Sequence, residues 1–204
     1  MPLSSEEGRL AVALAREALE CHVTGRKMPE KNLNSGPFSE AQGVFVTLST
    51  TSQAGNALRG CIGFPYPVKK LGTAIVEAAV AASSEDPRFP PVSKEELGSI
   101  IVEVSVLSLP RDLDVPRREM PSRVRIGRDG LMISRSYASG LLLPQVATEF
   151  KMDQIEFLSQ ACIKAGLQPD AWLDTATRVQ IFQAEIFAEK KPRGEVVKVA
   201  GEES

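Results

Sequence analysis

A cysteine set between two glycines, with an arginine two residues ahead of it, occurs in the hexapeptide LRGCIG at 58–63. The thiolate is the nucleophilic form of cysteine, and nearby positive charge lowers a thiol pKa. Arg59 would supply that charge, together with a planar fork of donors suited to carboxylate or phosphate. Gly60 and Gly63 would let the backbone approach a ligand or a packed neighbour closely. One reading makes Cys61 a nucleophile, assisted by Arg59, acting on an anionic substrate. The other makes it a small buried hydrophobe whose flanking glycines let a helix pack. Leu58, Gly60, Ile62 and Gly63 line a binding site if the motif binds a ligand or a partner.

A second block, DPRFPP at 86–91, carries Asp86, Arg88 and Phe89 in a loop stiffened by proline. An arginine beside an aromatic on a rigid loop can hold an anionic or planar ligand. The same residues can form an internal Asp86–Arg88 pair that braces the fold. Gln145 and Glu149 stand one helical turn apart and would share a face. The one histidine, His22, falls late in the first helix, where nothing local ties it to Cys61. The cysteines, Cys21, Cys61 and Cys162, are widely spaced and form no C-x-x-C pair. Neither a disulfide framework nor a Cys/His zinc site is expected from that pattern.

These residues must be placed by local elements. Ser4 and Glu7 have capping-box spacing for a helix running through Cys21 to Gly25, with Leu10, Leu14, Ala18 and Cys21 on one face. Residues 26–42 read as an irregular connection, 44–49 as a strand, 50–57 as a turn and 58–64 as the return strand. LRGCIG then lies on or at the end of an antiparallel hairpin. Leu71, Ala74, Ile75, Ala78 and Ala82 recur at helical spacing over 68–84. Residues 85–91 read as an extended loop, Ser93 with Glu96 as the cap of a short helix, and 100–109 as a strand. Asp129-Gly130 suggests a type I′ turn between strands at 124–127 and 131–134. Pro144 can open a helix, and Asp153 with Glu156 can cap one that stops at Gly166. Trp172 is expected to pack under the loop before a final strand at 177–188, and Lys164 to favour a helix C-terminus. From Glu189 onward the chain reads as a charged, loose tail. Hairpins interspersed with helices predict an α+β fold with antiparallel sheets and flanking helices.

The composition is that of a globular protein, 43% hydrophobic and 25% charged over 204 residues. A net charge of -2 and 5% aromatic residues argue against a nucleic-acid partner. No apolar run is long enough to span a bilayer, and the acidic N-terminus does not suit a signal peptide, so a cytoplasmic protein without a membrane partner is expected.

Several blocks together resemble the AMMECR family: LRGCIG, then DPRFPP followed by EEL at 95–97, GLLLPQVATEF at 140–150, and CIKAGL at 162–167. The resemblance covers about residues 5–188, and it treats the chain as one domain with residues 189–204 as its tail. It implies a compact α+β fold of two unequal subdomains sharing a groove at LRGCIG. It further implies a pathway shared with Memo-like and radical SAM proteins, and it names no reaction and no cofactor. Some relatives carry a histidine beside the glycine of the GRDG turn, where this chain has Asp129.

Overall fold

The computed structural model describes residues 3–28, 35–52 and 55–199. The chain forms two compact units, one built from residues up to Leu107 together with Glu185–Val199, the other from Ser108–Ala184. Both mix helices with antiparallel strands, as the sequence predicts.

In the first unit, α1 (Ser5–Thr24) opens on a complete capping box between Ser4 and Glu7 and stops at Gly25, which takes φ 70°. Its buried stripe is Ala11, Val12, Leu14, Ala15, Ala18, Leu19 and Cys21. Leu10, expected on that face, is 40% exposed, because the stripe follows 3.6-residue spacing from Ala11. Strands β1 (Gly43–Ser52) and β2 (Gly55–Phe64) pair as a hairpin, and β3 (Ile100–Leu107) pairs with the other side of β1. The hairpin strands are longer than expected and run into the segment read as turn; residues 53–54 lie outside the described region. The helix α2 (Leu71–Ser84) buries Leu71, Ala74, Ile75, Ala78 and Ala82, the periodic set. It packs on β1 and β2 and against α1. Val44, Val46 and Leu48 of β1 and Val102, Val104 and Val106 of β3 are buried in the same core.

The segment from Glu189 is not a loose tail up to Val199. Glu189 ends β7 (Arg178–Glu189), and β8 (Val196–Val199) pairs antiparallel with that end. The Glu189 carboxylate is 6% exposed and accepts from Arg16 Nε at 3.0 Å, Arg16 Nη2 at 2.5 Å and the Val102 N–H at 3.0 Å. Arg16 Nη2 also donates to the Ile100 carbonyl at 2.6 Å. This buried pair ties α1 to β3 and to the end of β7.

In the second unit, β5 (Asp129–Arg135) lies between β6 (Ala138–Leu142) and β7, antiparallel to both, and the short β4 (Arg111–Asp112) pairs with β7. The helices are α3 (Met120–Arg123), α4 (Pro144–Glu149) and α5 (Gln154–Lys164). Pro144 opens α4, and a capping box of Asp153 and Glu156 opens α5. Trp172 is buried in this unit's core with Phe157, Leu158 and Cys162. The expected type I′ turn at Asp129-Gly130 is absent: Asp129 starts β5 opposite Gln183, and the turn precedes it. The reason is the Asp129 carboxylate, 1% exposed, which accepts the Arg125 N–H at 2.9 Å and is forked by Arg128 at 2.9 and 3.0 Å.

Gly60 shows how tightly the first unit is built. A Cβ there would stand 2.1 Å from the Ala82 carbonyl oxygen, a backbone atom that cannot swing aside. Gly60→Ala should therefore cost about 1–3 kcal/mol through overpacking, read as a lowered midpoint in urea unfolding; an unchanged midpoint would mean α2 does not press on β2 here.

Candidate functional site

Strand β2 carries LRGCIG at the edge of the sheet. Register places Gly60, Ile62 and Phe64 opposite the buried Leu48, Val46 and Val44, so this set faces the helices. Cys61 and Gly63 face the other way, opposite Thr47 and Phe45. The register shifts at Arg59: Leu48 opposes Gly60 but Ser49 opposes Leu58, leaving Arg59 as an extra residue. Such a bulge bends the strand and re-aims a side chain. Leu58 consequently joins the Cys61 side of the strand and is 44% exposed.

The re-aimed Arg59 is consumed by an ion pair. Its Nε donates to Glu96 Oε1 at 2.7 Å and its Nη2 to Glu96 Oε2 at 3.1 Å and to the Pro91 carbonyl at 3.4 Å. The guanidinium also stands 5.9 Å from the centroid of the Phe89 ring. Glu96 further accepts the Ser93 N–H at 2.8 Å, one half of the expected capping box, but the short helix takes Lys94 as its N-cap, without a side-chain cap bond. The Arg59 fork, reinforced by the Ser93 N–H, keeps the Glu96 carboxyl below its ordinary pKa.

Asp86 and Arg88 meet the motif directly. Residues 86–89 form a turn, with Phe89 N–H donating to the Asp86 carbonyl, where an extended loop was expected. The Asp86 side chain, with the residue only 4% exposed, accepts the Cys61 N–H at 2.9 Å. It also accepts Arg88 Nε at 2.9 Å, Arg88 Nη2 at 2.6 Å and the Arg88 N–H at 3.1 Å. The Arg88 fork and the Cys61 N–H hold the Asp86 carboxyl well below the usual carboxylate range despite its burial. The Arg88 side chain remains 47% exposed, and its guanidinium lies 5.5 Å from the Phe89 centroid. Thus Arg59, Cys61, Asp86, Arg88 and Phe89 come together.

Cys61 is half-buried, and the Thr47 hydroxyl donates to its Sγ at 3.3 Å. Burial raises the thiol pKa, outweighing the Thr47 hydrogen bond and the charge of Arg88; Glu103 and Asp86 push it further up. The expected activation by Arg59 is therefore not what the geometry supplies. Arg59 spends its charge on Glu96, and the arginine felt by the thiol is Arg88. Thr47 and Glu103 were not identified from sequence. They stand in one row across the sheet, Cys61–Thr47–Glu103, which only the hairpin register reveals.

Gln145 and Glu149 lie on α4 of the second unit, Gln145 half-buried and Glu149 exposed. His22 is exposed in the last turn of α1, and Cys21 and Cys162 are buried free thiols. Among the described residues no three His, Cys, Asp or Glu side chains are grouped to hold a metal ion, and no helix is long and apolar enough to cross a membrane.

The fold and sequence are shared with known proteins. The AMMECR1 family model matches residues 12–187, and the chain belongs to that family. A Methanosarcina barkeri protein, Mbar_A1807, is 48% identical over 199 residues, covering 96% of each chain. A protein from Methanothermobacter thermautotrophicus is 52% identical over 192 residues, covering 92% of this chain and 97% of its own. The crystal structure of the uncharacterized protein PH0010 from Pyrococcus horikoshii superposes with a TM-score of 0.91 at 44% identity, covering 97% of this chain and 98% of that one.

Two outcomes follow from the site. The pH midpoint for alkylation of Cys61 should lie above that of a free thiol, about 8.5; a midpoint below it would restore an activated thiolate. Asp86 stabilises the folded state when ionised, because its folded pKa is depressed. Its contribution should be fully present above the unfolded value near ~3.9 and fade as pH falls below it. Asp86→Asn should lower stability by about 1–3 kcal/mol at neutral pH, and the gap from the parent should narrow in acid. A gap that stays constant down to pH ~2 would show that the carboxylate's charge is not what matters.

Proposed function

We propose that residues 58–63 and 86–89 form a recognition site for a small ligand bearing a carboxylate or phosphate, in a protein that binds through this site without using Cys61 as a ready nucleophile. The observation that carries the reading is Arg88. Its Nε and Nη2 are committed to Asp86, which fixes the guanidinium plane, while the side chain stays 47% exposed and Asp86 also accepts the Cys61 N–H, so the arginine is held at the motif. A preset arginine edge binds an oxyanion with little ordering cost. Leu58, exposed on the Cys61 side of the strand, and the Phe89 ring supply apolar surface beside it. Memo-like and radical SAM proteins enter this reading only as the pathway partners that the family resemblance implies.

The thiol-enzyme reading keeps one supporting observation, the charge of Arg88 near Cys61. Burial opposes it and outweighs that charge, so a nucleophilic step would need the site to change first.

The test is protection of Cys61 from iodoacetamide by succinate and by inorganic phosphate at constant ionic strength. Either anion should slow alkylation severalfold in the parent and not in Arg88→Gln, with Cys21 unaffected in both. Absence of protection by both anions, or protection that survives Arg88→Gln, would remove the reading.

A further inference from the structure

Arginine pairing is uneven along the chain. Of the fourteen arginines, Arg16, Arg26, Arg59, Arg88, Arg128, Arg135, Arg178 and Arg193 each contact a carboxylate. The six with no ion pair to a carboxylate within 4.0 Å among the described residues are Arg9, Arg111, Arg117, Arg118, Arg123 and Arg125, and of these Arg9 still lies near enough to Glu195 to influence it. Five of these six fall within residues 111–125 of the second unit.

The local structure holds these five charges on one short segment anchored along β7. Arg111 is opposite Ile181 on β7, the Leu113 N–H donates to the Val179 carbonyl, and Arg117 Nη2 donates to the Thr177 carbonyl at 2.9 Å. The segment thus tracks β7 over four residues, about 13 Å. Arg117 then donates to the Trp172 and Thr175 carbonyls as well, at 3.4 and 3.3 Å. Carbonyls satisfy its donors and leave its full charge uncancelled. Met120 and Val124 are buried at 2% exposure and pin the following turns to the core, while Arg118, Arg123 and Arg125 are exposed. The acidic residues of the stretch do not balance this charge: Asp112 is spent on Arg178, leaving Asp114 and Glu119.

We propose that this arginine surface, centred on Arg118, Arg123 and Arg125, docks an acidic segment of a partner protein. Arginine forks match carboxylates bidentately, and the patch uses arginine to the exclusion of lysine. A nucleic acid fits less well. The stretch 111–125 contains no aromatic residue to stack on a base, and the chain as a whole is net negative. The surface is separate in sequence from LRGCIG and does not depend on the function proposed for that motif.

The test measures anisotropy of a fluorescein-labelled oligo-glutamate peptide with the full chain. Binding should weaken steeply with salt and fall about tenfold or more in the triple variant Arg118→Gln/Arg123→Gln/Arg125→Gln, whose thermal midpoint should match the parent. A charge-matched control, Arg9→Gln/Lys94→Gln/Lys191→Gln, should bind as the parent does. Equal loss in both variants would reduce the effect to net charge and overturn the proposal. So would an equally charged single-stranded RNA binding as tightly as the peptide, a chain that self-associates through the patch in place of binding peptide, or no binding at low salt.

Discussion

The geometry around LRGCIG depends on one carboxylate. Asp86 is nearly inaccessible to water, yet every hydrogen bond it accepts comes either from the edge strand or from its own turn. A buried carboxylate is costly unless its lone pairs are filled, and the filling fixes the structure: the Cys61 N–H draws the loop to β2, and the Arg88 fork sets the arginine's plane. Edge strands expose backbone donors that invite pairing with another chain. Asp86 occupies the donor of Cys61, so the motif is presented without leaving that position open to strand addition.

The composition of the hexapeptide divides into packing and presentation. Gly60 is required by the Ala82 carbonyl, and Gly63 by β1, whose Val44 carbonyl oxygen would stand 2.2 Å from an added Cβ. Ile62 packs against the core. Arg59, as the bulged residue, leaves the pairing and braces the segment around Glu96. Only Leu58 and Cys61 remain on the outer side with surface to offer. The hexapeptide thus divides between residues that packing requires and residues that keep outer surface.

What could be read from sequence was local. Capping boxes at Ser4 and Asp153, the spacing of α2 and the opening of α4 at Pro144 act within one or two turns, so neighbouring residues determine them. Partners distant in the chain were not legible. Glu189 looked like the start of a charged tail because its partner, Arg16, lies 173 positions away. Asp129-Gly130 has the composition of a tight turn, but the buried Asp129 carboxylate, held by the Arg125 N–H and the Arg128 fork, overrides that preference. A hairpin and a returning helix bring LRGCIG and DPRF together, through the Cys61 N–H and the Asp86 carboxylate. The row joining Cys61 to Thr47 and Glu103 needed the register, and the bulge at Arg59 shifts that register by one residue part-way along the hairpin.

Arg88 also sets a limit on what the site can do at one time. Its charge is the one nearby influence of that kind that favours the Cys61 thiolate, against burial, Glu103 and Asp86. An oxyanion seated on the Arg88 edge would offset that charge and exclude more water, and both effects raise the thiol pKa further. By linkage, ionising Cys61 would weaken the bound anion by the same factor. Anion recognition and thiolate chemistry thus oppose each other here. In many thiol enzymes, by contrast, a histidine or helix N-terminus supports the thiolate while a separate group holds the substrate. Cys61 has only the Thr47 hydrogen bond and the Arg88 charge to favour its ionised form, and burial outweighs both, which argues against a thiol that attacks.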